Sequence, residues 1–89
     1  NEQKLKEVLL HDDRFMSLVV GRDSRTSDLV GHRLRDLTLP DGVLVAMVRR
    51  GNHVYVPGGD SYFKAGDSLT FIGDTIGLEA LHERFDPAR

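Results

Sequence analysis

The chain has no cysteine and no tryptophan, and only three prolines. Without cysteine there is no disulfide, no thiolate–metal centre and no cysteine nucleophile. That absence fits a reducing compartment without requiring one. A dominant charge sign is missing too. Twelve Lys and Arg stand against fourteen Asp and Glu, for a formal net charge of −2. The balance gives no electrostatic reason to bind nucleic acid or an anionic membrane, and no nucleic-acid partner is expected. No apolar run approaches the roughly 20 residues of a helical membrane span, and no signal peptide is seen. There is no Gly-x-Ser-x-Gly elbow and no Gly-x-Gly-x-x-Gly phosphate loop. The histidines, His11, His32, His53 and His82, never fall at i, i+3 or i+4. Surface histidines are therefore expected, with no metal site. Asp60, Asp67 and Asp74 recur in Gly-Asp turns, where Asp accepts local backbone hydrogen bonds. They lack the dense oxygen-rich loop of a calcium site.

What is present is organised around residues 39–73. Eighty-nine residues make one domain. A chain of this size buries only roughly 60–65% of its unfolded surface, so its stability margin is thin. Residues 43–48, VLVAMV, form an unbroken apolar run of strand length. Arg49 and Arg50 end it, Gly51-Asn52 turns the chain, and residues 53–56 return as a second strand. A two-residue loop with Gly first suits a type II′ turn, since Gly takes positive φ without a Cβ clash.

The remaining chain reads as cover. Residues 2–10 place Leu5, Val8 and Leu9 on one face of a short amphipathic helix. Its plain role is a connector from an upstream domain, and the chain, which begins with Asn1, is expected to be a piece of a longer protein. Residues 15–20 form the first strand. Ser27 is expected to cap a helix over residues 28–37, with Val30, Leu34 and Leu37 as its buried stripe. Pro40 stops it. A short extended piece is expected at residues 61–63 and a last strand at 68–72. Asp74 then caps a helix over residues 75–85 with Leu78, Leu81 and Phe85 inside. The order is (α)-β-α-β-β-β-α, an α+β, two-layer fold with about four strands in a mixed sheet and two packed helices.

The central strand is apolar on both alternating faces: Val43, Val45 and Met47 on one, Leu44, Ala46 and Val48 on the other. The first strand repeats this, with Met16, Leu18 and Val20 against Phe15 and Val19. Strands apolar on both sides are buried on both sides. Two helices cover one face, and a second copy in a homodimer is expected to cover the other. The alternative cover is the helix at residues 2–10.

These residues also resemble a known pattern. Leu29-Val30-Gly31 precedes Leu34 and Leu37, followed by Leu39-Pro40-x-Gly42-Val43-Leu44-Val45-Ala46. Then come Val48-x-Arg50, Val56-Pro57-x-Gly59-Asp60, Gly66-Asp67-x-Leu69 and Ile72-Gly73-Asp74. In order and spacing, residues 29–85 are similar to the TrkA-C domain, the C-terminal lobe of the RCK (regulator of potassium conductance) module. The resemblance divides the chain into a connector helix, residues 1–13, and a TrkA-C-like regulatory domain, residues 14–86. It implies a cytosolic, non-enzymatic, ligand-sensing module of a potassium or cation channel or transporter. The membrane transport domain would lie in the same chain or a partner chain. Such domains usually pair, and some bind a nucleotide such as cyclic di-AMP between the two copies.

Two surfaces are candidates for that ligand. Arg49, Arg50 and His53 flank the hairpin, and arginine grips phosphate oxygens bidentately. A solvated hairpin tip is the simpler reading of the same residues. The resemblance points to a second surface at Val30, Arg33, Leu39 and Pro40. Two other functions compete: a dimerisation module without a ligand, and a small cupin-like barrel enzyme. The latter is suggested by Pro57-Gly58-Gly59 and residues 64–69, but lacks the paired histidines and glutamate of a metal-dependent member.

Overall fold

The structure, a computed structural model, describes residues 15–21 and 24–85. The connector helix expected at residues 2–10 lies outside the described residues. The elements are β1 (Phe15–Val19), a single helical turn α1 (Ser24–Ser27), a 3-10 turn (Leu34–Asp36), β2 (Val43–Arg50), β3 (His53–Tyr55), β4 (Ser68–Gly73) and α2 (Thr75–Phe85). The strands form one sheet in the order β1-β4-β2-β3. The α+β class and the element order are as expected. Every neighbouring pair is antiparallel, however, so the sheet is not mixed. β4 inserts between β1 and β2, which run in the same direction, and β2 likewise separates β4 from β3.

The hairpin forms as its residues dictate. Arg50 pairs with His53, and Gly51 sits at φ +61° while Asn52 keeps a negative φ, the type II′ arrangement. At the other end of the sheet, Asp74 caps α2. Its Oδ1 accepts the Gly77 N–H at 2.7 Å, satisfying one of the helix's exposed donors. Leu78, Leu81 and Phe85 are buried as the spacing predicts, and α2 lies over β4 and β1. Beneath it, Leu69 and Phe71 of β4 join Val43, Val45 and Val48 of β2, Val20, Leu29 and Phe63 in one core. Removing each such side chain from water contributes roughly 1.5–3 kcal/mol.

The helix expected over residues 28–37 does not form. Ser27 ends α1 rather than capping a longer helix, and Gly31 at φ +83° turns the backbone out of helical geometry. The backbone of residues 31–35 then bonds to another segment. Gly31 and Leu34 donate to the carbonyls of Phe63 and Ser61, and Phe63 donates back to His32 at 3.0 Å. These long-range bonds give Tyr62 its bridge to Arg33, in the piece expected to be extended. They also displace the stripe: Leu29 is buried, Leu34 and Leu37 are half-buried, and Val30 is 44% exposed.

A β-bulge between Val45 and Met47 changes the faces of β2. One residue is inserted, so Val48 rather than Met47 follows Val43 and Val45 into the core. Leu44 and Met47 instead share the outer face with Phe15, Val19, Thr70 and Ile72, by strand register.

Two glycines are set by close approach. A Cβ on Gly73 would lie 2.5 Å from the Gly42 carbonyl oxygen and 3.0 Å from the Val43 Cα, both backbone atoms. One on Gly77 would meet Val43 Cγ2 at 2.5 Å. Gly73→Ala must push β2 away from β4 and should cost about 1–3 kcal/mol, read as a fall in urea midpoint at unchanged m-value. An unchanged midpoint would mean that the β2–β4 contact yields freely.

Candidate functional site

The polar centre of the molecule sits where β2 ends and β4 begins. Val48 and Tyr55 face the core, so two-residue alternation brings Arg50 and His53 to the same side and sends Arg49 to the outer face with Val54. Arg50 then meets Asp67, only 1% exposed, in a two-pronged ion pair. Its Nε donates to Oδ1 and its Nη2 to Oδ2, both at 2.8 Å. The same Nη2 donates to the Tyr62 carbonyl at 2.9 Å and to the Tyr55 hydroxyl at 3.1 Å. The Lys64 N–H donates to Asp67 Oδ2 at 2.9 Å, the local turn bond expected of a Gly-Asp turn. Hydrogen bonding from Arg50 holds the Asp67 carboxyl below its ordinary range, against the opposing effect of burial. Asp67 in turn raises the Arg50 guanidinium pKa. Arg50 therefore ties together three segments, and most of its donors are occupied within the fold.

A second cluster lies along residues 28–40. The Arg33 guanidinium stands over the Tyr62 ring, 4.9 Å from its centroid. Asp36 Oδ2 accepts the Arg33 N–H at 3.3 Å, closing the 3-10 turn. Arg35 pairs with Asp60 at the exposed surface. Val30 is exposed, and Leu39 and Pro40 are half-buried. The candidate residues therefore divide. Val30, Arg33, Leu39 and Pro40 belong to this segment, Arg49 lies on the outer face of the sheet, and Arg50 and His53 lie on the core side at the hairpin. His53 is exposed and stacks on Tyr55 at 5.6 Å.

Sequence reading missed Tyr62, which supplies the ring under Arg33 and a carbonyl to Arg50. Nothing local marks it, since its partners lie 29 and 12 residues away and only the bridge to residues 31–35 brings them together. The outer sheet face carries no helix among the described residues. Phe15 is 44% exposed and Leu44 51%, and both pair in register with Ile72, so the three form an apolar row across β1, β4 and β2. Among the described residues no group of His, Cys, Asp or Glu could hold a metal ion, and no helix is long and apolar enough to cross a membrane.

Comparison with known proteins gives the class. The model of the TrkA-C domain family matches residues 18–86, and the chain belongs to that family. It is similar to a Trk system potassium uptake protein TrkA homolog of Archaeoglobus fulgidus, 35% identical over 57 residues. That match covers 64% of the chain and 13% of the relative. A K(+)/H(+) antiporter NhaP2 of Shewanella sp. (strain MR-4) is 38% identical over 69 residues, 78% of the chain and 12% of the relative. The chain thus spans about an eighth of the length of these transport proteins. Among solved structures, it shares its fold with the RCK C domain of the potassium transport protein KtrA, solved with cyclic di-AMP. The TM-score is 0.66 at 20% identity, covering 92% of the chain and 95% of that domain. The RCK_C domain dimer of S. agalactiae BusR, also with cyclic di-AMP, gives a TM-score of 0.62 at 20% identity, covering 82% and 90%.

Proposed function

We propose that this chain is a regulatory, non-catalytic domain of a potassium or other cation transport system, acting on the cytoplasmic side of the membrane. It pairs with a second copy, and the pair binds a nucleotide such as cyclic di-AMP between its subunits. One observation carries the regulatory reading. A separately cored unit matches about an eighth of the length of potassium transport proteins, which supports reading it as a module of transport machinery. The apolar row of Phe15, Ile72 and Leu44 supports pairing, because a second copy would remove it from water. The similarity to domains solved with cyclic di-AMP supports the ligand.

In this reading Val30, Leu39 and Pro40 provide apolar contact for a base, and Arg33 and Arg49 provide charge for phosphate. His53 is available at the hairpin, while Arg50 acts mainly through Asp67. The ligand controls transport by differential affinity: whichever pair geometry it binds more tightly becomes more populated, and the attached membrane domain, in the same or a partner chain, responds.

Native mass spectrometry with and without cyclic di-AMP tests this. The expected result is a dimer that takes up one nucleotide per pair, with uptake reduced about tenfold or more in Arg33→Gln. A dimer that ignores the nucleotide would leave a dimerisation module and overturn the sensor reading. A monomer would overturn the pairing as well.

A further inference from the structure

A cleft of about 360 Å³ opens between α2 and the segment that follows α1, and none of the seven candidate residues above lines it. Its floor is apolar: Leu29 and Phe85 are buried and Leu37 is half-buried. Its rim carries both signs of charge, with Arg25 and Arg84 on one hand and Asp28 and Asp36 on the other. Arg25 donates to the Glu83 carbonyl at 3.0 Å and so occupies the carbonyl end of α2. Arg84 is held from two sides. It donates to the Thr38 carbonyl at 2.8 Å and stands over the Phe85 ring, 4.9 Å from the centroid. It nevertheless has no ion pair among the described residues, and neither does the exposed Asp28. A fixed guanidinium and a carboxylate thus share one cleft without neutralising each other. Volumes of this order suit small molecules, and polar groups at an apolar cavity fix a ligand's orientation.

We propose that this cleft binds a small zwitterion of the amino-acid type. Its carboxylate lies on the Arg84 guanidinium, its ammonium on Asp28, and its apolar side chain on Leu29, Leu37 and Phe85. A guanidinium already anchored through one N–H keeps further donors for a carboxylate and loses little freedom on binding. A simple anion would leave Asp28 facing like charge, and a simple cation would face Arg84. A molecule bearing both groups satisfies both. The site is independent of the paired-subunit nucleotide site.

The test is a titration of the isotope-labelled chain followed by amide NMR, with L-leucine as the probe. Isocaproate, which lacks the ammonium, and isoamylamine, which lacks the carboxylate, serve as controls. L-Leucine should shift the amides of His32, Leu37 and Arg84 saturably, and each control should bind about tenfold more weakly. Asp28 is exposed and its side chain has no hydrogen bond or ion pair among the described residues, so Asp28→Asn should fold normally. It should weaken L-leucine about tenfold while binding isocaproate no more weakly than the wild type does, because the like charge facing that anion is gone, and a purely structural role would not produce this opposite response. Equal binding of L-leucine and isocaproate would make the cleft an anion site and overturn the proposal. So would the absence of shifts at millimolar L-leucine.

Discussion

Replacing Arg50 by methionine is expected to lower the unfolding free energy by about 3 kcal/mol, with Asp67 left buried beside a single backbone donor. Methionine keeps the unbranched apolar stem of the side chain and ends where the guanidinium begins, so the loss mainly reports the guanidinium. The estimate sits at the low end of the range for broken buried pairs because the Arg50 side chain is 36% exposed while Asp67 is 1% exposed. For a domain whose total stability is about 5–15 kcal/mol, the change should be plain in a urea or thermal transition. Restoring neutrality with Arg50→Met and Asp67→Asn together should recover part of the loss, since the penalty is an unpaired buried charge. A transition unchanged by Arg50→Met would show that water reaches Asp67 freely.

The same pair sets an acid limit. The folded Asp67 has its pKa lowered, chiefly by the Arg50 hydrogen bonds. The folded state therefore binds the proton less readily than the unfolded state. Its stabilising contribution is fully present above the unfolded carboxyl value near 3.8 and is lost as pH falls through the lower folded value. Unfolding free energy measured against pH should fall on acidification in the wild type and flatten in the variant lacking both charges. The raised pKa of Arg50 has no counterpart near neutral pH.

Leu44→Lys is the second large change. Leu44 is half-exposed on the outer face, in register with Ile72 and beyond it Phe15. A lysine there keeps its ammonium in water in the single chain, so stability should change by only about 0.5 kcal/mol. In a symmetric pair the substitution occurs on both partners and places two like charges on one apolar surface. Pairing should weaken by at least about thirtyfold, roughly 2 kcal/mol, as measured by sedimentation equilibrium. Cyclic di-AMP uptake should fall with it if the nucleotide bridges the two subunits. A variant that stays dimeric would move the interface off this face. One that unfolds would mean that Leu44 matters to the single chain, and Ser17→Lys on the same face would then repeat the test, since Ser17 lies beside Thr70.

Local patterns determined a large part of this protein. Gly51-Asn52 between two strand-like runs defined the hairpin, because only glycine takes the required positive φ cheaply. Asp74 ahead of Leu78, Leu81 and Phe85 defined α2, because cap and stripe lie within one short segment. The ordered run of Gly-Asp turns and apolar strands was enough to place the family.

Tertiary structure decided the rest, and in each instance through partners distant in sequence. Residues 28–37 have a helical stripe, but backbone groups of residues 31–35 bond instead to residues 59–63. The bulge after Val45 reversed the faces of Met47 and Val48, because one inserted residue inverts a period-two pattern. Arg50 read as a ligand residue at a hairpin tip, yet the fold set it against Asp67, 17 residues later. The cleft of Asp28 and Arg84 exists only where α2 closes over the chain after α1. Short-range geometry is written in neighbouring residues, whereas pairing between distant segments is settled by which backbone donors and charges must be satisfied once the core has closed.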